Sequence, residues 1–428
     1  MKFRVTAPTQ ISQNLSIELP ASKSLSNRAL IMNALAGGKG LLKHISDCDD
    51  TQVMLAAFDQ DTSKHVFAAD GARIVDIGAA GTSMRFLTAY FATRAGAEIV
   101  MTGSERMKKR PIALLVEALR TLGAEIEYLE TEGCPPLRIH GKQLQGGALS
   151  IDGSVSSQYI SALLMIAPTL TAGLQLSLTG RVTSVPYIEM TLSMMQEYGI
   201  EAQWDKETMK ISVLPQQYMA REYYIESDWS ASSYWYEIMA LANDGKTRES
   251  EEVRIQLEGL FEKSLQGDAA IADFFAQIKA KPEVLQLDMT SQPDLAQTVI
   301  AACCVLNQPF RITGLHTLRI KETDRVAALE NELRKLGYVV KDEDIALEKD
   351  NGEQALTIMM TWDGERCEAE REPVIATYKD HRMAMAFAPL SLKLGAIDID
   401  DPAVVSKSYP SYWEDLKKAG FEIVKSEE

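Results

Sequence analysis

LPASKSLSNRALIMNALA, residues 19–36, sets an apolar helix from Ala29 onward behind Ser22, Lys23, Ser24, Ser26, Asn27 and Arg28. Serine and asparagine are ordinary helix N-cap residues. Lysine and arginine are not expected there, because the helix dipole already places positive partial charge at that end. The same order returns in VDIGAAGTSMRFLTAYFA (75–92), LSIDGSVSSQYISALLMIAP (149–168), YIESDWSASSYWYEIMALA (224–242), LQLDMTSQPDLAQTVIAACC (285–304) and IATYKDHRMAMAFAPLSL (375–392). Each reads as a short β-like run, a small or polar loop, then about three turns of apolar helix. Six copies predict an internally repeated α/β architecture, three units before about residue 225 and three after it.

A second pattern interleaves with the first. LRTLGAEIEYL (119–129), MMQEYGIEAQW (194–204), LRKLGYVVKD (333–342) and LKKAGFEIVK (416–425) each show a helix tail, a glycine and an alternating strand. The glycine suits the left-handed position that ends a helix.

The chain of 428 residues is 46% hydrophobic and 24% charged, which suits a globular protein of two or three domains. MKFRVTAPTQ lacks the apolar core of a signal peptide, and no apolar run reaches the ~20 residues that span a bilayer, so a cytoplasmic protein is expected. The five cysteines, Cys48, Cys134, Cys303, Cys304 and Cys367, lack zinc-site spacing and read as reduced structural thiols. A net charge of −16 excludes a surface that coats nucleic acid, so any bound anion must be held by a local cluster of cations.

Such cations sit at helix starts. Arg28, Arg85, Arg325 and Arg382 fall in or just before the first turn of a predicted apolar helix, and Lys321 precedes Arg325 by four residues, which on one helix would set two like charges on one face. A single surface arginine is ordinarily just solvated. Four such helices in an acidic chain point instead to a polyanion, which would turn each repulsion into attraction. In TGSERMKKRPIALLVEALRTLGAE (102–125), Pro111 suits a first helical position and leaves Arg106, Lys108, Lys109 and Arg110 in the approach loop. Ser156, Ser157 and Gln158, with Ser184 and Tyr187, supply polar helix starts that can cap the helix or bind phosphate.

SKSLSNRALIMNALA, AGTSMRFL, ERMKKRPI, DGSVSSQY, SVPYIEMTL, IKETDRVAALENELRKLG, YKDHRMAMAFAPL and DPAVVSKSYPSYWEDL together resemble, in order along nearly the whole chain, the signature blocks of the 5-enolpyruvylshikimate-3-phosphate synthases, within the enolpyruvyl transferases. The resemblance implies a two-domain inside-out α/β barrel, each domain built of three repeated βαβαββ-like units with helix N-termini facing an interdomain cleft. Domain boundaries are expected at 21–225 for one domain and 1–20 with 226–428 for the other. It implies transfer of the enolpyruvyl group of phosphoenolpyruvate to the 5-hydroxyl of shikimate 3-phosphate, a step toward chorismate and the aromatic amino acids. No cofactor or metal is implied, and no nucleic-acid or membrane partner; a monomer is expected.

By motif match the resemblance assigns Lys23, Ser24, Arg28, Ser156, Ser157, Gln158, Ser184, Tyr187, Asp294 and Lys321 to shikimate 3-phosphate. It assigns Lys23, Gly81, Arg110, Gln158, Glu322, Arg325, His381, Arg382 and Lys407 to phosphoenolpyruvate. Asp294 is the candidate base, against the plain reading of a cap for a helix beginning at Leu295; Glu322 and Lys23 are candidates for the methylene proton, and Lys407 for the leaving phosphate. Three departures stand out. The loop Gly78 to Phe86 carries Ala79 where the family usually has asparagine and Phe86 where it has proline, Thr317 replaces a common asparagine, and His65 to Asp76 is short, so a helix there is expected to be trimmed. The alternatives are a UDP-N-acetylglucosamine enolpyruvyl transferase, which normally carries a reactive cysteine in the loop matching ERMKKRP, and a non-catalytic anion-binding homologue.

Overall fold

The computed structural model describes every residue except 13, 155, 181, 247–251, 349–353 and 427–428. The chain forms two compact units, Ala21–Glu226 and Met1–Pro20 with Ser227–Glu428.

Within Ala21–Glu226 the strands form three sheets. Leu41–Lys43 pairs in parallel with Glu222–Tyr224. A five-stranded sheet runs in the order Val66–Phe67, Arg73–Asp76, Glu98–Thr102, Leu137–His140, Glu125–Tyr128, and a four-stranded one in the order Ala202–Asp205, Lys210–Val213, Leu174–Thr179, Gly147–Asp152. The other unit repeats this plan. Leu15–Glu18 pairs in parallel with Ile255–Glu258, and a four-stranded sheet orders Leu285–Asp288, Phe310–Thr313, Gln354–Trp362 and Lys341–Glu348. In the last sheet, Val374–Ile375, Ala396–Asp400, Lys2–Thr6 and Glu422–Ser426, the N-terminal strand lies between two C-terminal ones, antiparallel to both.

Three of the larger sheets follow one βαβαββ plan. Leu285–Asp288, helix Ala296–Val305, Phe310–Thr313, helix Arg325–Lys335 and the hairpin Lys341–Glu348 with Gln354–Trp362 make one copy. In the fourth, Lys2–Thr6 supplies the strand that would otherwise close the hairpin. The helix-ending glycines stand as the pattern demanded: Gly123, Gly199, Gly337 and Gly420 have φ of 104°, 83°, 88° and 94°, where a side chain would be strained. Between Phe58 and Arg73 only a 3₁₀ turn, Thr62–Lys64, and the two-residue strand Val66–Phe67 intervene, so that stretch carries no α-helix.

Helices occupy the inside and sheets the outside. All ten residues of Ala296–Val305 are buried, as are all seven of His381–Phe387 and nine of the ten in Ser157–Ile166. The sheets alternate, Leu285–Asp288 reading buried, exposed, buried, exposed, as expected of a strand with one face on the core and one in water. Because parallel strands joined by helices put every helix start at the strands' carboxyl ends, the polar loops of each sheet gather there. Aromatic hydroxyls secure the interior of the second unit: Tyr412 donates to the Met385 carbonyl at 2.8 Å and Tyr409 to Asp415 at 2.9 Å, while Trp235 donates to Tyr409 at 3.2 Å.

One polar group in this interior is anomalous. Glu237, on helix Trp229–Asn243, is fully buried, and neither carboxyl oxygen has a hydrogen-bond partner among the described residues. Burial pushes its carboxyl well above the ordinary value of 4.5. The unfolded chain therefore releases a proton that the folded chain keeps, and stability falls as pH rises above about 4.5. Glu237→Gln should remove that loss, so the variant should gain at least about 1 kcal/mol over the parent at pH 8 relative to pH 5, measured by urea unfolding. Parallel stability profiles for the two proteins would show that Glu237 is ionised in the fold.

Candidate active site

In Ala21–Glu226 the opening motif forms helix Lys23–Leu35, capped by Ser22, whose hydroxyl accepts from the Leu25 amide at 3.4 Å. Lys23 Nζ lies 3.6 Å from Asp50 Oδ2, carried by helix Asp49–Phe58. Arg28 is 2% exposed and gives its protons to neutral oxygens: Nε to Thr191 Oγ1 at 2.8 Å, Nη1 to the Ser24 carbonyl at 2.9 Å, and Nη2 to Ser161 Oγ at 3.1 Å and the Tyr187 carbonyl at 3.4 Å. Its guanidinium stands 5.3 Å from the centre of the Phe86 ring, so the aromatic residue in the departed loop supports a cation through its π face. Among the described residues no carboxylate pairs with Arg28. Burial lowers its pKa from 12.5 to about 10, partly opposed by Tyr187.

Gly81 opens helix Gly81–Ala92, and a Cβ there would lie 2.7 Å from Nη1 of both Arg85 and Arg110. The missing side chain is what lets two guanidinium groups approach one helix start. Gln158 donates to Thr82 Oγ1 at 3.0 Å, which ties the start of helix Ser157–Ile166 to the same loop. Ser156 caps that helix by accepting from the Gln158 amide at 3.3 Å. Ser184 behaves differently: it sits at φ 54° before helix Val185–Glu197 and makes no side-chain cap bond. Pro111 stands two residues before helix Ala113–Thr121 rather than at its first position, while Lys108 pairs with Glu130 at 3.1 Å.

In the other unit a network of ions gathers around Arg325. The predicted same-face repulsion between Lys321 and Arg325 does not arise, because Lys321 has extended backbone and the helix begins only at Arg325. Both instead converge on Asp294 Oδ1, Lys321 at 3.2 Å and Arg325 at 2.8 Å, and Arg382 lies 3.4 Å from Oδ2. Asp294 sits in the 3₁₀ turn Pro293–Leu295 and caps nothing; helix Ala296–Val305 starts without a side-chain cap. Glu322 bridges Lys407 and Arg325, at 2.9 Å each. Asp380, wholly buried, holds Arg325 with both oxygens at 2.7 and 3.3 Å and also caps the next helix through the Arg382 amide at 3.0 Å. His381 Nδ1 lies 3.6 Å from Asp380.

The electrostatics follow from this interleaving. Burial alone would raise the Asp294 carboxyl, but Lys321, Arg382 and Arg325 outweigh it and hold the group far below the usual carboxylate range. Burial would likewise lower Arg325, yet Asp380, Glu322 and Asp294 leave it raised and permanently charged. Thr317, 8% exposed, has a hydroxyl with no partner among the described residues. The sequence reading passed over Asp50, Asp380, Thr191 and Ser161. Asp380 had a signal, a carboxylate directly before His381 and Arg382; the other three are placed only by the packing of separate helices.

Guanidinium and ammonium groups at the helix starts of a repeated, inside-out α/β fold define an enzyme that handles anionic substrates. The family model for EPSP synthase (3-phosphoshikimate 1-carboxyvinyltransferase) matches residues 5–416. A 3-phosphoshikimate 1-carboxyvinyltransferase of Bacteroides fragilis strain YCH46 is 48% identical over 444 aligned positions, covering 100% of both chains, and one of Aliivibrio fischeri strain MJ11 is 35% identical, covering 94% of this chain and 96% of its own. The fold is that of an EPSP synthase structure from Acinetobacter baumannii, with a TM-score of 0.71 at 18% identity over 99% of this chain and 100% of that one. The chain belongs to the EPSP synthase family. Its reaction moves the enolpyruvyl group of phosphoenolpyruvate to shikimate 3-phosphate, in the shikimate pathway.

Arg28 offers a test of whether its charge serves the fold. A buried guanidinium without a carboxylate costs stability, and the hydroxyls around it already bond each other, Thr191 to Ser161 at 2.9 Å. Arg28→Met should therefore leave the unfolding temperature unchanged or raise it in scanning calorimetry. A loss above about 2 kcal/mol would mean that the guanidinium is a structural strut.

Proposed function

We propose that the residues assigned by motif form the working site of this reaction. Shikimate 3-phosphate is held by Lys23, Ser24, Arg28, Ser156, Ser157, Gln158, Ser184, Tyr187, Asp294 and Lys321. Phosphoenolpyruvate is held by Lys23, Gly81, Arg110, Gln158, Glu322, Arg325, His381, Arg382 and Lys407. Arg28 supports this reading as a buried cation paired only with neutral oxygens, and the Thr317 hydroxyl, without a partner among the described residues, supports a polar contact at a position where the family commonly has asparagine. Residues 21–225 act as one domain and 1–20 with 226–428 as the other, in a cytoplasmic monomer.

The chemistry is an addition followed by an elimination. The 5-hydroxyl attacks C2 of phosphoenolpyruvate while C3 takes a proton, and the tetrahedral ketal then loses phosphate. Asp294 accepts the hydroxyl proton. The observation that carries this role is the convergence of Lys321, Arg325 and Arg382 on its carboxylate, which keeps it ionised, as a base must be. Those cations also make it a weak base until substrate arrives. Substrate phosphate and carboxylate draw them away and raise its basicity at the moment it is needed. The methylene proton comes from Glu322 or Lys23, and Lys407 attends the leaving phosphate.

Asp294→Asn should lose at least ~10²-fold in turnover, the lower end for removal of a general base, while calorimetry still detects shikimate 3-phosphate binding. Near-normal phosphate release by the variant would leave Asp294 as an anchor for the cations alone.

A further inference from the structure

Arg382 is held by more than Asp294. Its Nη2 carries two protons and lies 3.4 Å from Asp294 Oδ2 and 3.4 Å from Ser230 Oγ. The Ser230 hydroxyl in turn donates to Asp268 Oδ2. Ser230 is the second residue of helix Trp229–Asn243, and Asp268 lies in the 3₁₀ turn Gly267–Ala270, so two further elements fix the fork of one guanidinium. Asp268 is 3% exposed, and its other oxygen, Oδ1, has no hydrogen-bond partner among the described residues. A carboxylate placed so deeply with a single hydroxyl contact is poorly justified by fold stability alone.

We propose that Asp268 is a positioning residue for the known reaction, orienting Arg382 through the Ser230 hydroxyl. The proposal rests on the reading of Arg382 as a phosphoenolpyruvate contact. The charged groups facing Asp268 are Arg382 from helix His381–Phe387, Asp294 from its 3₁₀ turn, and Asp228 at the cap of helix Trp229–Asn243. Burial raises the Asp268 carboxyl and the two carboxylates add to this; Arg382 and Ser230 oppose them, and the balance is about 6. Above that pH the group is ionised and holds the serine proton firmly; below it the neutral acid is a poorer acceptor, and the anchor that Ser230 gives Arg382 is weakened.

The test is steady-state kinetics of Asp268→Asn against the parent from pH 5 to 8.5, with shikimate 3-phosphate saturating. KM for phosphoenolpyruvate should rise about 10-fold at pH 8, the effect of weakening a hydrogen bond to a charged group, with kcat changed less than about 2-fold. The ratio of the two KM values should fall toward 1 at pH 5, where the parent's own carboxyl is protonated; titration of the substrates cancels in that ratio. A ratio near 1 throughout, or a raised ratio that does not vary with pH, overturns the proposal. Should Asp268→Asn fail to fold, Ser230→Ala must raise the same KM, and an unchanged value is equally fatal. Arg382→Lys separates the two readings. If it leaves KM for phosphoenolpyruvate unchanged, the assignment of Arg382 fails and the proposal with it; if it raises KM while Asp268→Asn does not, only the relay fails.

Discussion

Helix Ala296–Val305 has no exposed residue, and His381–Phe387 is buried throughout. A helix enclosed on all sides has its backbone groups satisfied along its length and can meet a polar ligand only at its ends. Placing sheets outside and helices inside therefore forces the chemistry to the helix starts, where free amides and the dipole favour anions. The cations that look misplaced for helix stability stand where this constraint sends the substrates.

The two clusters meet the same demand by different electrostatics. Around Arg28 the protein supplies hydroxyls, carbonyls and an aromatic face, and leaves the charge uncompensated. Around Arg325 it interleaves cations and carboxylates, so that Arg325 meets Asp294, Glu322 and Asp380 while Asp294 meets Lys321, Arg325 and Arg382. The first arrangement stores attraction for an incoming anion at a cost in stability. The second is stable without a ligand, and an arriving anion must compete with Asp294, Glu322 and Asp380 for their cations, which couples binding to a change in the basicity of those carboxylates.

Much of this was legible in the residue order. The six apolar helices and the four glycine stops follow from periodicity and from the left-handed geometry only glycine tolerates cheaply, both local properties. The cations at the helix starts were legible as violations of the dipole rule. Their partners were not. Asp50, Thr191 and Ser161 each look ordinary in their own segment, and only packing between helices more than twenty residues apart gives them a role. Lys321 was misplaced on a helix because its four-residue spacing from Arg325 fits a helical face, whereas the helix starts at Arg325, behind the Asp324 cap.

The position of Lys2–Thr6 within the last sheet bears on how the protein comes to exist. That strand is made nearly four hundred residues ahead of both its neighbours, Ala396–Asp400 and Glu422–Ser426. During synthesis it has neither partner, while all of Ala21–Glu226 can emerge and settle into its own core. One half of the molecule can thus fold on the ribosome, whereas the other stays open until residues 396–426 have been made, carrying an unpaired strand edge until then. Lys2 and Arg4, on that edge, give the waiting strand a charge that discourages association with other chains in the interval.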